Sequence, residues 1–328
     1  MRFGTVGTGW ICKAMTEAMA RSETGEWWAA YSRDLSRAQE FAPEEIVCFD
    51  SLEEMADCSE IEAVYLASPN ICHFAQCRLF LEHGKHVLCE KPLTVTAGQA
   101  RELLELAEEK GVLLLEAIMN MHLPQYRFLE HAVGKIGRIT SAHLDFSQLS
   151  SKYGQLKAGE LPNIFNPAMG TGCLMDLGVY NVNLAVRLFG VPENVKAAAT
   201  FLASGADAAG SAILEYADKT VTLTYSKTGQ SSARSQILGD EGTVTVESIS
   251  RLQGIRLHSG GVDRILYGWD KTHEDSMLPE LEAFCQMAED PKRYAQRIAL
   301  YRRLMLDTAE VMERIRAESG ITFPGETQ

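Results

Sequence analysis

The sequence predicts an α/β chain: an N-terminal parallel sheet with helices on both faces, then a C-terminal α+β domain with a large, mostly antiparallel open sheet. Three observations carry that reading. Up to about Glu116, short β-branched runs alternate with longer stretches of helical period, as in strands joined by crossover helices. From Ile139 to about Leu257 the period falls to two, with turn signals between the runs. Helical period returns from Met277 onward.

Taken in order, Arg2–Val6 reads as a strand. Trp10–Arg21 reads as a helix with Ile11, Met15, Ala18 and Met19 on one side. Trp27–Tyr31 is a second strand, followed by a helix through Ala38 and Phe41. Ile46–Phe49, Ala63–Ala67 and Val87–Leu88 are further strands, with helices at Leu52–Met55 and Phe74–His83 between them. Thr96–Lys110 carries Ala100, Leu103, Leu104 and Ala107 at helical spacing and ends at Gly111; Val112–Leu115 is the sixth strand. Pro124–Val133 is a helix stopped at Gly134.

The later strands are Ile139–Ser147, Val195–Leu202, Ser211–Glu215, Thr220–Tyr225, Ser235–Leu238, Thr243–Val246 and Gly254–His258. Ala217-Asp218-Lys219 and Gly239-Asp240-Glu241-Gly242 are their turn signals. A helix at Leu174–Phe189 interrupts the run, and Met277–Glu289 and Arg297–Ser319 close the chain. The change of texture near residue 118 divides the chain into domains 1–118 and 119–328. A sheet carrying Phe146, Phe201, Leu214, Leu223 and Tyr225 with few helices to cover it predicts a homodimer or higher homo-oligomer.

Composition narrows the function. At 328 residues, 46% hydrophobic and 23% charged, the chain has the make-up of a globular protein, which excludes disorder as its theme. With 31 Lys+Arg against 44 Asp+Glu the net charge is −13, so no cationic surplus exists for nucleic acid. The strongest apolar stretch, Val112 to Met119, is broken by Glu116 and falls short of the roughly 18 residues of a membrane span. Eight scattered cysteines without a C-x-x-C pair read as reduced thiols, and Met1–Gly9 already carries a folded-domain motif; both point to the cytoplasm. No His, Cys or Asp cluster has metal-ligand spacing, so no metal is expected.

Four segments carry chemistry. Gly7-Thr8-Gly9-Trp10-Ile11-Cys12 follows a strand and opens a helix. There the first glycine makes a tight turn, the second lets the backbone approach a pyrophosphate, and the helix N-terminus supplies N–H groups. Cys12 stands where a third glycine is usual. After the second strand come Ser32-Arg33-Asp34 and Arg37. A hydroxyl and two guanidiniums suit a 2′-phosphate, which favours NADP(H) over NAD(H); as plain structure, the arginines are solvated and Asp34 is an N-cap. Ser68-Pro69-Asn70 with His73, and Gly84 through Glu90-Lys91-Pro92, follow strand ends where open α/β sheets bind ligands. The plain alternative for Glu90-Lys91 is a surface turn with an ion pair. Last, Asp176, Tyr180, Asn183 and Arg187 form a polar stripe opposite Leu174, Leu177, Leu184 and Leu188, either a wet helix face or a positioned acid/base.

Together these segments resemble the glucose–fructose oxidoreductase / inositol dehydrogenase / rhizopine-catabolism (Gfo/Idh/MocA) family. The match runs through Gly7–Ile11, Ser68-Pro69-Asn70 with His73, Gly84–Pro92, Gly172–Tyr180 and Leu238–Gly242 in the family's order. The resemblance implies a Rossmann domain, then a domain whose open sheet often forms a subunit interface. It also implies hydride transfer between a nicotinamide and a carbinol carbon of a sugar, polyol or trans-dihydrodiol. By position, Lys91 is similar to the catalytic lysine and Asp176 to the carboxylate that orients substrate. Many members end the last motif in His; Tyr180 here resembles the dihydrodiol dehydrogenase and glucose–fructose oxidoreductase branch, where a Tyr is the proposed proton donor. The implied cofactor-binding residues are Gly7, Thr8, Gly9, Trp10, Ile11, Ser32, Arg33, Arg37, Ser68, Pro69, Asn70, His73, Glu90 and Lys91. Two other classes share such a frame: a glycosidase using transient oxidation, and a non-catalytic cofactor-binding regulator. The segment Glu116–Pro124 lacks the Arg of many relatives.

Overall fold

Four of the first six strands are buried along almost their whole length, which is why they read as apolar runs without alternation. A computed structural model describes residues 1–269 and 273–324. It divides the chain into two units, residues 1–119 with 273–306, and residues 120–269 with 307–324. The segment 273–306, grouped by the sequence with the second domain, therefore belongs with the first.

The first unit alternates β1(Arg2–Val6), α1(Trp10–Met19), β2(Glu26–Tyr31), α2(Leu35–Phe41), β3(Val47–Phe49), α3(Leu52–Asp57), β4(Ala63–Leu66), α4(Asn70–Glu82), β5(His86–Glu90), α5(Ala97–Lys110) and β6(Leu114–Ala117). All strands pair in parallel in the order β3-β2-β1-β4-β5-β6. The order reverses between β1 and β4, so their carboxyl ends open a crevice for a ligand.

Local chemistry sets the helix ends. Thr96 caps α5 by accepting from Gln99 N–H, and Gly111 closes it in the left-handed conformation at φ +67°. The Val112 amide bonds back to Ala107, so Val112 completes that cap and β6 starts two residues later than its β-branched side chain suggests. In turn β5 extends to Glu90 and β6 past Glu116. Cys89 pairs with Glu116 and Glu90 with Ala117, which sets both carboxyls at the ligand end of the sheet.

The second unit begins with α6(Met119–His122), α7(Tyr126–Val133), β7(Ile139–Ser147) and α8(Tyr153–Lys157). A π-helical turn, Leu174–Gly178, leads into α9(Val179–Phe189). Then come β8(Asn194–Phe201), β9(Asp207–Glu215), β10(Thr220–Ser226), β11(Ser235–Gly239), β12(Gly242–Val246), β13(Ile255–Ser259) and β14(Val262–Tyr267). The chain ends with α10(His273–Glu289), in the first unit, and α11(Ala295–Ser319), within which the division falls.

These strands form one sheet, β14-β13-β12-β11-β7-β10-β9-β8, antiparallel except where β7 and β10 run together, with Leu144 opposite Leu223. Leu144, Leu214, Val221, Leu223, Tyr225 and Ile237 point to one buried face, against which the π turn and α9 pack. Leu214, Leu223 and Tyr225 therefore lie in the unit's own core, not on the open face expected of them, and Phe146 packs edge-on to Tyr180. Of the residues named from sequence Phe201 is exposed, and the opposite face adds Ile213, Leu238 and Ile265. Strand β14 escaped the sequence because it is an edge strand with no buried face and so no alternation. Among the described residues no helix is long and apolar enough to cross a membrane.

Candidate active site

Gly7 ends β1 at φ +117°, and a Cβ there would lie 2.8 Å from the Ala67 carbonyl oxygen. Only glycine allows β1 and the end of β4 to approach so closely at the crevice. Around Gly9 no atom lies within 4 Å of a built Cβ, and Gly9 caps α1 without any side-chain bond. The start of α1 thus has room beside Gly9 and no capping side chain from it, which fits a pyrophosphate group. Thr8 and Trp10 are exposed beside them and Ile11 half-buried, Trp10 at 71%. Cys12 replaces the third glycine as a core residue: its thiol lies against Thr5, and burial pushes its pKa up to about 12.

At the end of β2, Ser32 is half-buried and Arg33 and Arg37 are exposed. Asp34 caps α2, accepting from the Ser36 amide at 3.1 Å and its hydroxyl at 2.7 Å, and these bonds hold its carboxyl below the usual range. The acidic side chain is therefore committed to the helix, leaving Ser32, Arg33 and Arg37 as the groups fit for a 2′-phosphate.

Beyond β4, Ser68 donates to Gln76 at 2.6 Å, Pro69 caps α4, and Asn70 begins it. His73 is fully buried, with Nδ1 2.9 Å from the Pro92 carbonyl and Nε2 2.9 Å from the Ser68 carbonyl. Burial lowers its pKa while the carbonyl contacts oppose that shift, and the ring lies between two loops. Both ring nitrogens thus contact the backbone of the loops after β4 and β5.

Glu90 is buried, accepts from the Tyr65 hydroxyl, and accepts from the Lys91 amide at 3.3 Å. The turn is thus not an exposed surface turn; Lys91 begins it above a buried carboxylate. Glu116 accepts from the Leu93 amide at 2.8 Å and fixes the turn's far end. Burial raises its pKa to about 7, and Glu90 adds to the rise. Glu280, on α10, is fully buried with neither carboxyl oxygen hydrogen-bonded, and burial raises it well above its ordinary value. Glu116 and Glu280 were not singled out from sequence. Their signal is a charged residue on an apolar strand or helix face, and nothing local says that the two meet.

In the second unit, Asp176 lies on the π turn and Tyr180 one step into α9. The expected polar stripe is not a wet face. Val179 through Val186 are buried, Asn183 lies beside Thr308, and Arg187 donates to the Met121 carbonyl at 2.6 Å while stacking 3.3 Å over Tyr126. Asp207 bonds the Leu174 amide at 2.7 Å, and a Cβ on Gly172 would lie 1.8 Å from its carboxyl. The glycine of Gly170-Thr171-Gly172 therefore makes room for a carboxylate cap on the π turn. Lys227 was missed altogether. Its Nζ pairs with Asp176 Oδ2, with a side chain 2% exposed against 35% for Asp176. Its sequence signal is phase, because Val221, Leu223, Tyr225 and Lys227 alternate onto the buried face.

Comparison with known proteins agrees with this geometry. Residues 1–117 match the oxidoreductase family with the NAD-binding Rossmann fold, and residues 131–245 match the GFO/IDH/MocA C-terminal domain. The chain is 37% identical to the uncharacterized oxidoreductase YgjR of Escherichia coli, over 100% of this chain and 99% of that one. It is 36% identical to a scyllo-inositol 2-dehydrogenase (NADP(+)) of Bacillus subtilis, over 99% of each. A 3-ketoreductase from Actinomadura kijaniata, solved with NADP and TDP-benzene, shares the fold at TM-score 0.83 and 22% identity, over 97% of this chain and 98% of that one.

Proposed function

Because this chain belongs to the Gfo/Idh/MocA family of NAD(P)-binding oxidoreductases, we propose that it is an NADP-dependent dehydrogenase or reductase. Its substrate is a carbinol of a sugar, polyol or trans-dihydrodiol. The observation that carries this reading is the crevice of the first unit: a glycine turn opening helix α1, two exposed arginines after β2, and the Lys91 turn at the end of β5. The curated relative that acts on scyllo-inositol with NADP(+) supports both halves of it.

When bound, the nicotinamide would supply the hydride acceptor or donor. The chain's own part is to bind, orient and move a proton. The α1 amides with Gly7, Thr8, Gly9, Trp10 and Ile11 hold the pyrophosphate; Ser32, Arg33 and Arg37 hold the 2′-phosphate. Ser68, Pro69, Asn70 and Glu90 shape the crevice, and His73 keeps that shape.

Tyr180 takes the hydroxyl proton on oxidation and returns it on reduction. A phenol ordinarily keeps its proton to about pH 10, and an ammonium favours the phenolate; by its place in the family's motif Lys91 is the catalytic lysine. Asp176 accepts a hydrogen bond from a substrate hydroxyl and fixes its orientation. The outward face of the second unit's sheet joins two copies of the chain.

Absorbance at the reduced-cofactor band, over a panel of polyols, aldoses and trans-diols, tests this reading. Turnover is expected with a preference for NADP(H), and Tyr180→Phe should lower kcat by about 10²–10⁴ with little change in cofactor affinity. Equal affinity for NAD(H), or no net reduced cofactor from any of these substrates, rejects it.

A further inference from the structure

The second unit holds a lysine where a core residue belongs. Strand β10 puts Val221, Leu223 and Tyr225 on the buried face, and Lys227 follows in the same phase. Its amide bonds the Ala208 carbonyl, and its own carbonyl accepts from the Ser150 amide, so the backbone at this position is held from two sides. The ammonium lies 5.5 Å from the centre of the Phe165 ring and pairs with Asp176. A buried ammonium is costly unless it is paired. The facing titratable groups are Asp176 from the π turn, Asp207 from β9, Tyr225 on β10 itself and Cys173 ahead of the turn. Burial raises Asp207, Tyr225 and Cys173 in the direction of their neutral forms. Asp176 is the charge partner, and its side chain is the more exposed half of the pair.

We propose that Lys227 is a positioning residue for substrate binding: it holds Asp176 as a carboxylate, in one orientation, on the rigid end of β10. This rests on the reading above that Asp176 contacts a substrate hydroxyl. Lys227, at 2% exposure, acts only through Asp176. The π turn gives the arrangement its purpose. The backbone of the turn is set by the Asp207 cap at its start, and the buried Lys227 ammonium gives the Asp176 carboxylate an anchor at the end of β10, so that less ordering remains to be done when substrate arrives.

The test compares Lys227→Met, Lys227→Gln, Lys227→Arg, Asp176→Asn and the Lys227→Met/Asp176→Asn double variant, in the full chain with NADP(H) and the best polyol found. Lys227→Met should raise KM at least tenfold with a smaller fall in kcat and unchanged NADPH affinity. The double variant should be no worse than Asp176→Asn alone, and Lys227→Arg should recover part of the loss. In Lys227→Gln, which is one atom shorter but keeps a donor, the acid limb of the KM profile should move to higher pH, because a carboxylate without its cation protonates more readily. A purely structural lysine would not move that limb, and an unmoved limb overturns the proposal even if Lys227→Met does not fold. Wild-type KM in Lys227→Met beside a raised KM in Asp176→Asn overturns the proposal alone. Wild-type KM in Asp176→Asn overturns the substrate role of Asp176 and the proposal with it.

Discussion

Glu116 sits at the end of β6 with its carboxyl under the Lys91 turn, and its pKa of about 7 against an ordinary 4.5 makes it a stability term with a definite sign. The unfolded chain loses this proton near 4.5 and the folded chain near 7, so folding takes up a proton between those values. Stability therefore falls as pH rises through that window, by about 3 kcal/mol once the folded carboxyl is ionised. Glu116→Gln keeps an acceptor for the Leu93 amide and removes the ionisation. Its stability should equal the wild type near pH 4 and exceed it by up to about 3 kcal/mol at pH 8, read from urea unfolding at both pH values. Equal slopes in the two proteins would discard the assignment. The sequence showed Glu90-Lys91-Pro92 plainly, because a charged triplet after an apolar strand is a local anomaly. The meeting of Glu90, Glu116 and Glu280 was hidden, since it joins three elements that no local period relates.

Among the elements, the π turn before α9 departs most from what helical spacing implies. Apolar spacing predicts one helix over 174–189, and the wider first turn leaves no mark on that pattern. What did leave a mark was Gly172, which the family resemblance caught as part of a motif without its reason. The reason is the Asp207 carboxyl, 1.8 Å from where a Cβ would stand. Gly172→Ala should displace that carboxyl from the Leu174 amide, cost about 1–3 kcal/mol of stability, and raise KM as the turn bearing Asp176 shifts. Calorimetry and steady-state kinetics on one preparation check both. Full stability with unchanged KM would show that the cap is dispensable. The strands β1, β4, β7 and β10 were legible nearly to the residue because burial and pleat wrote their pattern. The ends of β5 and β6 were not, because glutamates in a buried strand interrupt the apolar run that marks it.

For the whole molecule, a net charge of −13 governs long-range behaviour while apolar faces govern association. The open face of the second unit's sheet carries Ile213, Leu238 and Ile265, each more than a third exposed. Light scattering at micromolar concentration should give at least a dimer mass, and Ile213→Asp with Leu238→Asp should give a monomer that still binds NADPH. A monomeric wild type would end this assignment. Of the residues that suggest association in the sequence, Leu214, Leu223 and Tyr225 lie on the covered face and Phe201 is exposed, since alternation tells two faces apart but not which one a helix will cover.

The parallel pairing of β7 with β10 carries a consequence for how the chain is made. Thr220 meets Ser141, and on its other side β7 meets β11, so an early strand sits between two late ones. As the polypeptide emerges, β7 has no neighbour in its own stretch of sequence and must wait with both edges bare. The β8–β9–β10 meander can form by itself from short-range pairings. Closing the sheet is then an insertion event of high contact order, slow by nature and exposed to wrong partners while it lasts. Synthesis rate and chaperone access between residues 147 and 240 thus bear on yield more than any contact in the finished fold.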